Sequence, residues 1–399
     1  MPSVLIAGLS TRAAADSAVA AGFAVTAIDA FGDLDLHPSV RAVSLPRDRG
    51  TPFSAAAAAR AAAGFAADAV VYLANFENEP DAVSALAHSR TLWGNPPDVL
   101  RLVRDPLTLM KAFREHDIPV PAVRTNANAP NDRNDSNVPN DPNDPNDPKE
   151  WLVKPIASGG GRGIKLWKGN DVPPGYYLQE RLEGVPGSVV FVSAGGSAVT
   201  LGISRQVIGD PAFGAEGYRY CGNILAPAGD PVFEQDETLA DRAYAIASAA
   251  TASFGLVGLN GADFIAAAGA AHPVEVNPRW SGAMELVERA YGVSLFGMHA
   301  DACARTALPD FDLRHARRGA RAVGKAILFA REQVTLGDTR PWLADASVRD
   351  VPQPGERIAA GRPICTIFAD GDDAAGCYAA LVRRAEQVYA SVTAAPALD

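Results

Sequence analysis

The sequence predicts an α/β protein: an N-terminal Rossmann-like domain followed by segments that mix strands and helices. Three observations predict it. Short apolar runs alternate with Ala-rich stretches over residues 1–97. A glycine-rich segment, "WLVKPIASGGGRGIKLW" (Trp151–Trp167), lies between two runs that alternate like strands. Further on, "LNGADFIAAAGAAHPVEVNPRWSGAMEL" sets carboxylates inside apolar strand signals.

The elements follow in order. "SVLIAG", "FAVTAID", "RAVSLP" and "DAVVYLA" are buried-strand patterns separated by helical stretches, which predicts a parallel sheet covered on both faces. The first turn, "GLSTRAAA", is not G-x-G-x-x-G, so the dinucleotide fingerprint is absent. "DPLTLMKAFREHDIPVPA" predicts a helix capped by Asp105 with Pro106 at its first position. Residues Asn126 to Glu150 repeat Asn-Asp-Pro with almost nothing apolar to bury, and are expected to form a disordered insertion. The spacing of an EF-hand is missing there. Strand signals then dominate: "WLVKPI", "GIKLW", "YYLQERL", "SVVFVSA" and "SAVTLGISRQ". A helix is expected from Asp236 to Phe254, then paired strands in "LVGLNGADFIAA" and "HPVEVNP", then a helix in "GAMELVERAYG". "GKAILFA" and "DVPQPGERIAAGRPICTIFADG" predict a small β-rich closing unit. The expected divisions are 1–97, 98–182 (with the insertion 126–150), 183–310 and 311–399.

Of the 399 residues, 48% are hydrophobic and 21% charged, the balance of an ordinary globular protein. A formal net charge of −10 argues against a general nucleic-acid binder, which needs a basic face. No apolar run is long enough to span a membrane, and the N-terminus reads as a first strand rather than a signal peptide, so a cytoplasmic location is expected. Cys221, Cys303, Cys365 and Cys377 form no C-x-x-C pair and are expected to be reduced thiols.

Lys154 precedes the glycines, and an alternating run follows them. The segment is therefore read as a β-hairpin tip, not a P-loop. Glycine backbone there can approach phosphate oxygens closely, with Lys154 and Arg162 adding charge. Glu275 and Asn277 are two apart in a strand signal and share a face, which Asp263 on a neighbouring strand can join. Such oxygen donors suit Mg²⁺ with phosphate and water. Arg279 lies just beyond, where it could hold a carboxylate or a developing phosphoryl charge. No Ser-His-Asp or Cys-His arrangement stands out.

These segments together resemble the ATP-grasp superfamily, from Val4 to about Asp370. The order matches: a Rossmann-like domain, "DPLTLMKAF", "WLVKPIASGGGRG", "LQERLEG", then "DF" and "EVNPR". The resemblance implies an ATP-grasp fold in which two α+β subdomains enclose ATP and Mg²⁺, with Mn²⁺ as a substitute. It implies phosphate contacts from Lys111, Lys154, Ser158, Gly159, Gly160 and Gly161, and adenine contacts from the hinge Gln179, Glu180, Arg181 and Leu182. A ribose-binding acid is missing from its usual place, leaving Glu183 or Ser188. Asp263, Glu275 and Asn277 map to metal ligands, with Asp263 where many relatives have Glu. Arg279 maps to the substrate arginine, with Lys154 beside it as a catalytic cation. Arg205, Gln206 and Ser281 are further substrate candidates, and Tyr218 and Arg219 lie in segments able to reach the pocket.

The family chemistry implied is carboxylate activation as an acyl phosphate, followed by amine attack. "NPRWSGAMEL" and the tail resemble the branch related to biotin carboxylase and to tyramine–glutamate ligase-like enzymes. This implies glutamate as carboxylate and an aromatic amino compound as amine, in one-carbon carrier cofactor biosynthesis. Small-molecule partners and a homodimer are expected, without nucleic acid or membrane. The alternatives are a carboxylase of biotin-carboxylase type, although no Met-Lys-Met triplet is present, and a non-catalytic ATP-binding protein.

Overall fold

The computed structural model describes residues 1–125, 150–169, 171–230 and 238–394. The Asn-Asp-Pro repeat before Glu150 lies outside these residues, as do the first two residues of the helix expected from Asp236.

The N-terminal part holds β1 (Ser3–Ala7), α1 (Arg12–Ala20), β2 (Ala24–Asp29), β3 (Arg41–Ser44), α2 (Leu45–Arg49), α3 (Ala55–Ala62), β4 (Ala69–Tyr72), α4 (Pro80–Leu86) and β5 (Thr91–Leu92). The strands form a parallel sheet in the order β3-β2-β1-β4-β5. In β1, Leu5 and Ala7 pack with α3 while Val4 and Ile6 pack with α1, so consecutive residues enter two separate cores. That is why this strand is uniformly apolar instead of alternating. Chain order reverses between β1 and β4, which opens a crevice at the carboxyl ends of those strands.

A linking helix, α5 (Pro97–Val103), leads to α6 (Pro106–Glu115). Asp105 caps α6 as expected, its carboxylate accepting from Thr108 N at 2.7 Å. A four-stranded antiparallel sheet follows, from β6 (Val123–Arg124), β7 (Trp151–Pro155), β8 (Lys165–Leu166) and β9 (Tyr176–Glu180), in the order β6-β9-β7-β8.

The largest sheet begins with β10 (Val185–Ala194), β11 (Ser197–Ile208) and β12 (Tyr220–Leu225). After α7 (Leu239–Phe254) come β13 (Gly258–Ala267), β14 (Ala270–Asn277), α8 (Met284–Tyr291), α9 (Leu295–Arg305) and α10 (Leu313–Arg317). The chain closes with β15 (Ala322–Phe329), β16 (Val334–Thr335), β17 (Val348–Arg349), β18 (Arg357–Ile358), β19 (Pro363–Gly371) and α11 (Ala374–Ala394). Eight of these strands form one sheet, β14-β13-β10-β11-β12-β15-β19-β17.

The tail therefore differs from the expected closing unit. β15, β17 and β19 extend the large sheet, and β16 and β18 alone make a separate two-stranded pair. Its pairing with β12 is what makes β15 an interior strand. The long helix α11, unanticipated in the sequence, covers this end through Leu381, Ala385 and Val388.

One face of the large sheet is sealed by apolar packing: Val189, Phe191 and Ile203 against α7, and Ile224 and Ile367 against α11. On the other face, Val190, Val192 and Leu259 pack under α8 and α9. Beyond those helices this second face turns polar. Strand register sets Ser188 opposite both Ser204 and Asp263, Asp263 opposite Glu275, Gln206 opposite Asn223, and Asn223 opposite Lys325. Directly paired residues share a face, so these side chains form one polar band across the sheet.

Candidate active site

The band meets the glycine-rich hairpin where Arg104 joins Glu275 to Ser158 O. Glu275 and Asp263 are register partners, and Asn277, two residues on from Glu275, donates from Nδ2 to Asp263 Oδ2 at 3.2 Å. Ser188 and Gln206 also donate to Asp263. Burial and the neighbouring Glu275 charge nevertheless push the Asp263 carboxyl up to about 6. Glu275 is shifted the other way. Burial alone would raise it, but Arg104, Lys154 and Arg279 together hold it below the usual carboxylate range.

Two half-buried carboxylates in register are costly unless a cation lies between or beside them. No trio of His, Cys, Asp or Glu side chains forms a metal cage among the described residues. The donor set is two carboxylates and the Asn277 amide oxygen. That set fits Mg²⁺, which keeps phosphate and water in its remaining positions.

Lys154, in β7, is buried and donates from Nζ to Gln179 Oε1 at 2.8 Å. Tyr177 on β9 lies beneath it, with its ring centroid 5.7 Å from Nζ. The hairpin between β7 and β8 has the predicted form, with Leu152 opposite Leu166. Gly160, Gly161 and Gly163 have φ of +62°, +74° and +82°, so the tip needs glycine. At Gly161 the demand is doubled, because a Cβ would lie 1.7 Å from the Tyr218 carbonyl oxygen. Tyr220 N donates to Gly160 O at 3.1 Å and seats the tip against the large sheet.

Arg279 follows a turn fixed from the N-terminal domain. Tyr72 Oη donates to Pro278 O at 3.1 Å, and Asn95 Nδ2 donates to the same oxygen at 3.0 Å. The Arg279 guanidinium donates to Glu77 Oε1 at 2.6 Å and Asn277 Oδ1 at 3.2 Å, with Nε buried and unpartnered among the described residues. Ser281 overlies β13: a Cβ on Gly261 would lie 3.2 Å from its Oγ, and that Oγ is likewise buried without a partner among the described residues.

The structure thus brings together Lys154, Gln179, Gln206, Asp263, Glu275, Asn277, Arg279, Ser281 and the hairpin glycines. Other expected residues lie apart from this group. Lys111 is exposed on α6, about 200° round the helix from the buried Leu109, and makes no hydrogen bond or ion pair among the described residues. Arg104, just before the Asp105 cap, reaches the cleft instead. Ser188 is engaged with Asp263 on the sheet, while Glu183 is exposed in the connection after β9. Arg205 alternates to the sealed face of the sheet and pairs with Asp230 at 3.2 Å. Arg219 donates to Gly361 O at 2.9 Å and stacks on Phe329, which commits it to the tail.

Of the hinge residues, Gln179 faces Lys154, and Glu180 both accepts from and donates to the Ala122 backbone at 2.9 Å. Arg181 is exposed and paired with Glu150, and Leu182 is half-buried beside it.

Five side chains escaped the sequence reading: Arg104, Glu77, Arg12, Glu285 and Lys325. Arg12 of α1 donates to Glu285 at 2.7 Å and to Asp350 at 2.8 Å, and Lys325 donates to the other Glu285 oxygen at 3.1 Å. This buried network ties the N-terminal domain, α8 and the large sheet together beside the cleft. A cation just ahead of a helix cap, like Arg104, was the one local signal available. The others are long-range pairings.

Residues 103–283 match the family model of the ATP-grasp domain. The structure superposes on the L-amino acid ligase of Bacillus licheniformis with a TM-score of 0.64 at 16% identity, over 97% of each chain. The N5-carboxyaminoimidazole ribonucleotide synthetase of Thermotoga maritima gives 0.61 at 15% identity, over 98% of each chain. The biotin carboxylase domain of the Hydrogenobacter thermophilus 2-oxoglutarate carboxylase, a dimer solved with MgADP and bicarbonate, gives 0.63 at 13% identity, over 93% of this chain and 86% of that one. A search of curated proteins finds no match. The fold is that of the ATP-grasp enzymes.

Proposed function

We propose that this chain is an ATP-dependent carboxylate–amine ligase working through an acyl phosphate. One observation carries the reading: the register-paired Asp263 and Glu275, with Asn277, lie beside a glycine-rich hairpin and the buried Lys154, with Arg104 joining Glu275 to the hairpin. Asp263, Glu275 and Asn277 would hold Mg²⁺, which when bound supplies charge neutralisation at the phosphates. The chain's own task is positioning. Lys154 and the hairpin backbone hold the transferring phosphoryl group, and Arg279 holds the substrate carboxylate against it. No protein nucleophile is needed, because the substrate carboxylate attacks phosphorus and ADP leaves. The amine then attacks the acyl carbon, and phosphate leaves.

The ligase neighbour supports an amino acid as carboxylate donor. The resemblance of "NPRWSGAMEL" to tyramine–glutamate ligase-like enzymes supports glutamate, with an aromatic amino compound as acceptor. A carboxylase is the second reading, favoured by the synthetase and biotin carboxylase neighbours. Bicarbonate would then take the carboxylate's place.

Isotope transfer tests the mechanism. With ¹⁸O in both carboxylate oxygens, an acyl phosphate route delivers one label to phosphate for each amide formed. Phosphate free of label during amide formation would refute it.

A further inference from the structure

We propose that Arg104 is a positioning residue that ties the glycine-rich hairpin and the Glu275 carboxylate into one unit. This rests on the nucleotide-site reading above.

Arg104 lies between α5 and α6, and its side chain is 11% exposed. Its guanidinium touches three parts of the chain. Nη1 pairs with Glu275 on β14 and approaches Val276 O at 3.4 Å. Nη2 donates to Ser158 O in the hairpin at 3.1 Å, with Ile156 O further off at 3.5 Å. Nη2 also meets Asn78 Oδ1 of the N-terminal domain at 3.2 Å. Nε is buried with no partner among the described residues.

Only a planar fork can make this set of contacts at once. The compact ammonium of a lysine carries the charge but cannot span a carboxylate and a hairpin carbonyl together. Glu275 is thereby set in the cleft by the same group that holds the hairpin down. Charge and hairpin closure are coupled through one side chain, and the exposed Lys111 is free of both roles.

The test compares wild type, Arg104→Ala and Arg104→Lys. Hydrogen exchange over residues 156–164 is measured without ligand, and ADP affinity is measured calorimetrically with and without Mg²⁺. Both variants should speed hairpin exchange by about tenfold or more, while α7 amides keep wild-type protection and report an intact fold. Arg104→Ala should weaken Mg-ADP by roughly tenfold or more, the scale of a lost charge-assisted hydrogen bond. Arg104→Lys should recover metal-free ADP affinity to within about threefold while lacking the wild-type gain on adding Mg²⁺.

Wild-type exchange at the hairpin in Arg104→Ala would overturn the proposal. So would full rescue of both readouts by Arg104→Lys, which would reduce Arg104 to a charge. If wild type binds no ADP, the nucleotide reading falls. Hairpin exchange then decides the positioning role by itself.

Discussion

Replacing Glu285 with Gln removes the carboxylate held between Arg12 and Lys325 while keeping its shape. Its ion pairs with those two cations measure 2.7 Å and 3.1 Å, and the three side chains are at least nine-tenths buried. In the variant Arg12 retains Asp350 at 2.8 Å, but Lys325 keeps no other ion pair among the described residues. Breaking a buried pair so that a charge is stranded costs roughly 3–5 kcal/mol. With a urea slope of about 3 kcal/mol/M, the midpoint of the transition that includes the large sheet should fall by roughly 1–2 M.

The pH dependence has a defined sign. Burial opposes ionisation of Glu285, but Arg12 and Lys325 overcome it and hold the carboxyl far below its ordinary value of 4.5. A depressed carboxyl stabilises the native state above its unfolded value, and that contribution is lost as pH falls through the native value. The gap between wild type and Glu285→Gln should be flat from about pH 6 to 8 and should narrow below about pH 4.5. Adding Lys325→Met should recover part of the loss, since the stranded ammonium is then gone. An unchanged midpoint at neutral pH, or a gap that widens on acidification, would refute the clamp.

Other perturbations act on the cleft. Lys154→Ala should weaken ATP binding by roughly 10–100-fold in calorimetry, the range for a hydrogen bond to a charged group. Gly161→Ala should impair nucleotide binding while leaving the global unfolding free energy within about 1 kcal/mol of wild type, because the clash with Tyr218 O is confined to the contact between the hairpin tip and the connection before β12. Arg279→Lys should raise the KM for the carboxylate substrate more than that for ATP, since the planar fork now meeting Glu77 and Asn277 is lost.

The legible parts of the fold were those written in local pattern. Parallel strands such as β1 announce themselves as continuous apolar runs, and Asp105-Pro106 marks a helix start by capping chemistry alone. Glu275 and Asn277 were legible because a period of two fixes their shared face, and Asp263 because its strand is the adjacent one. Lys111 misled because a lysine on a capped helix looks alike on either side, and only packing of Leu109 and Phe113 turns it outward. Arg205 misled for a related reason: its neighbour Gln206 takes the cleft face, and a one-residue choice of register was open in the sequence. Arg12, Glu285 and Lys325 lie in three different elements, so no window of sequence could join them.

The most direct test of the central claim is ADP release from Mg-ATP across a panel of amino acids, each alone and paired with amines, with bicarbonate included and product masses recorded. The account predicts release that requires both a carboxylate and an amine, with a product at the condensed mass. Release driven by bicarbonate without a second carboxylate would contradict the ligase and favour the carboxylase. ATP bound tightly but never cleaved with any pair would contradict catalysis of this kind altogether.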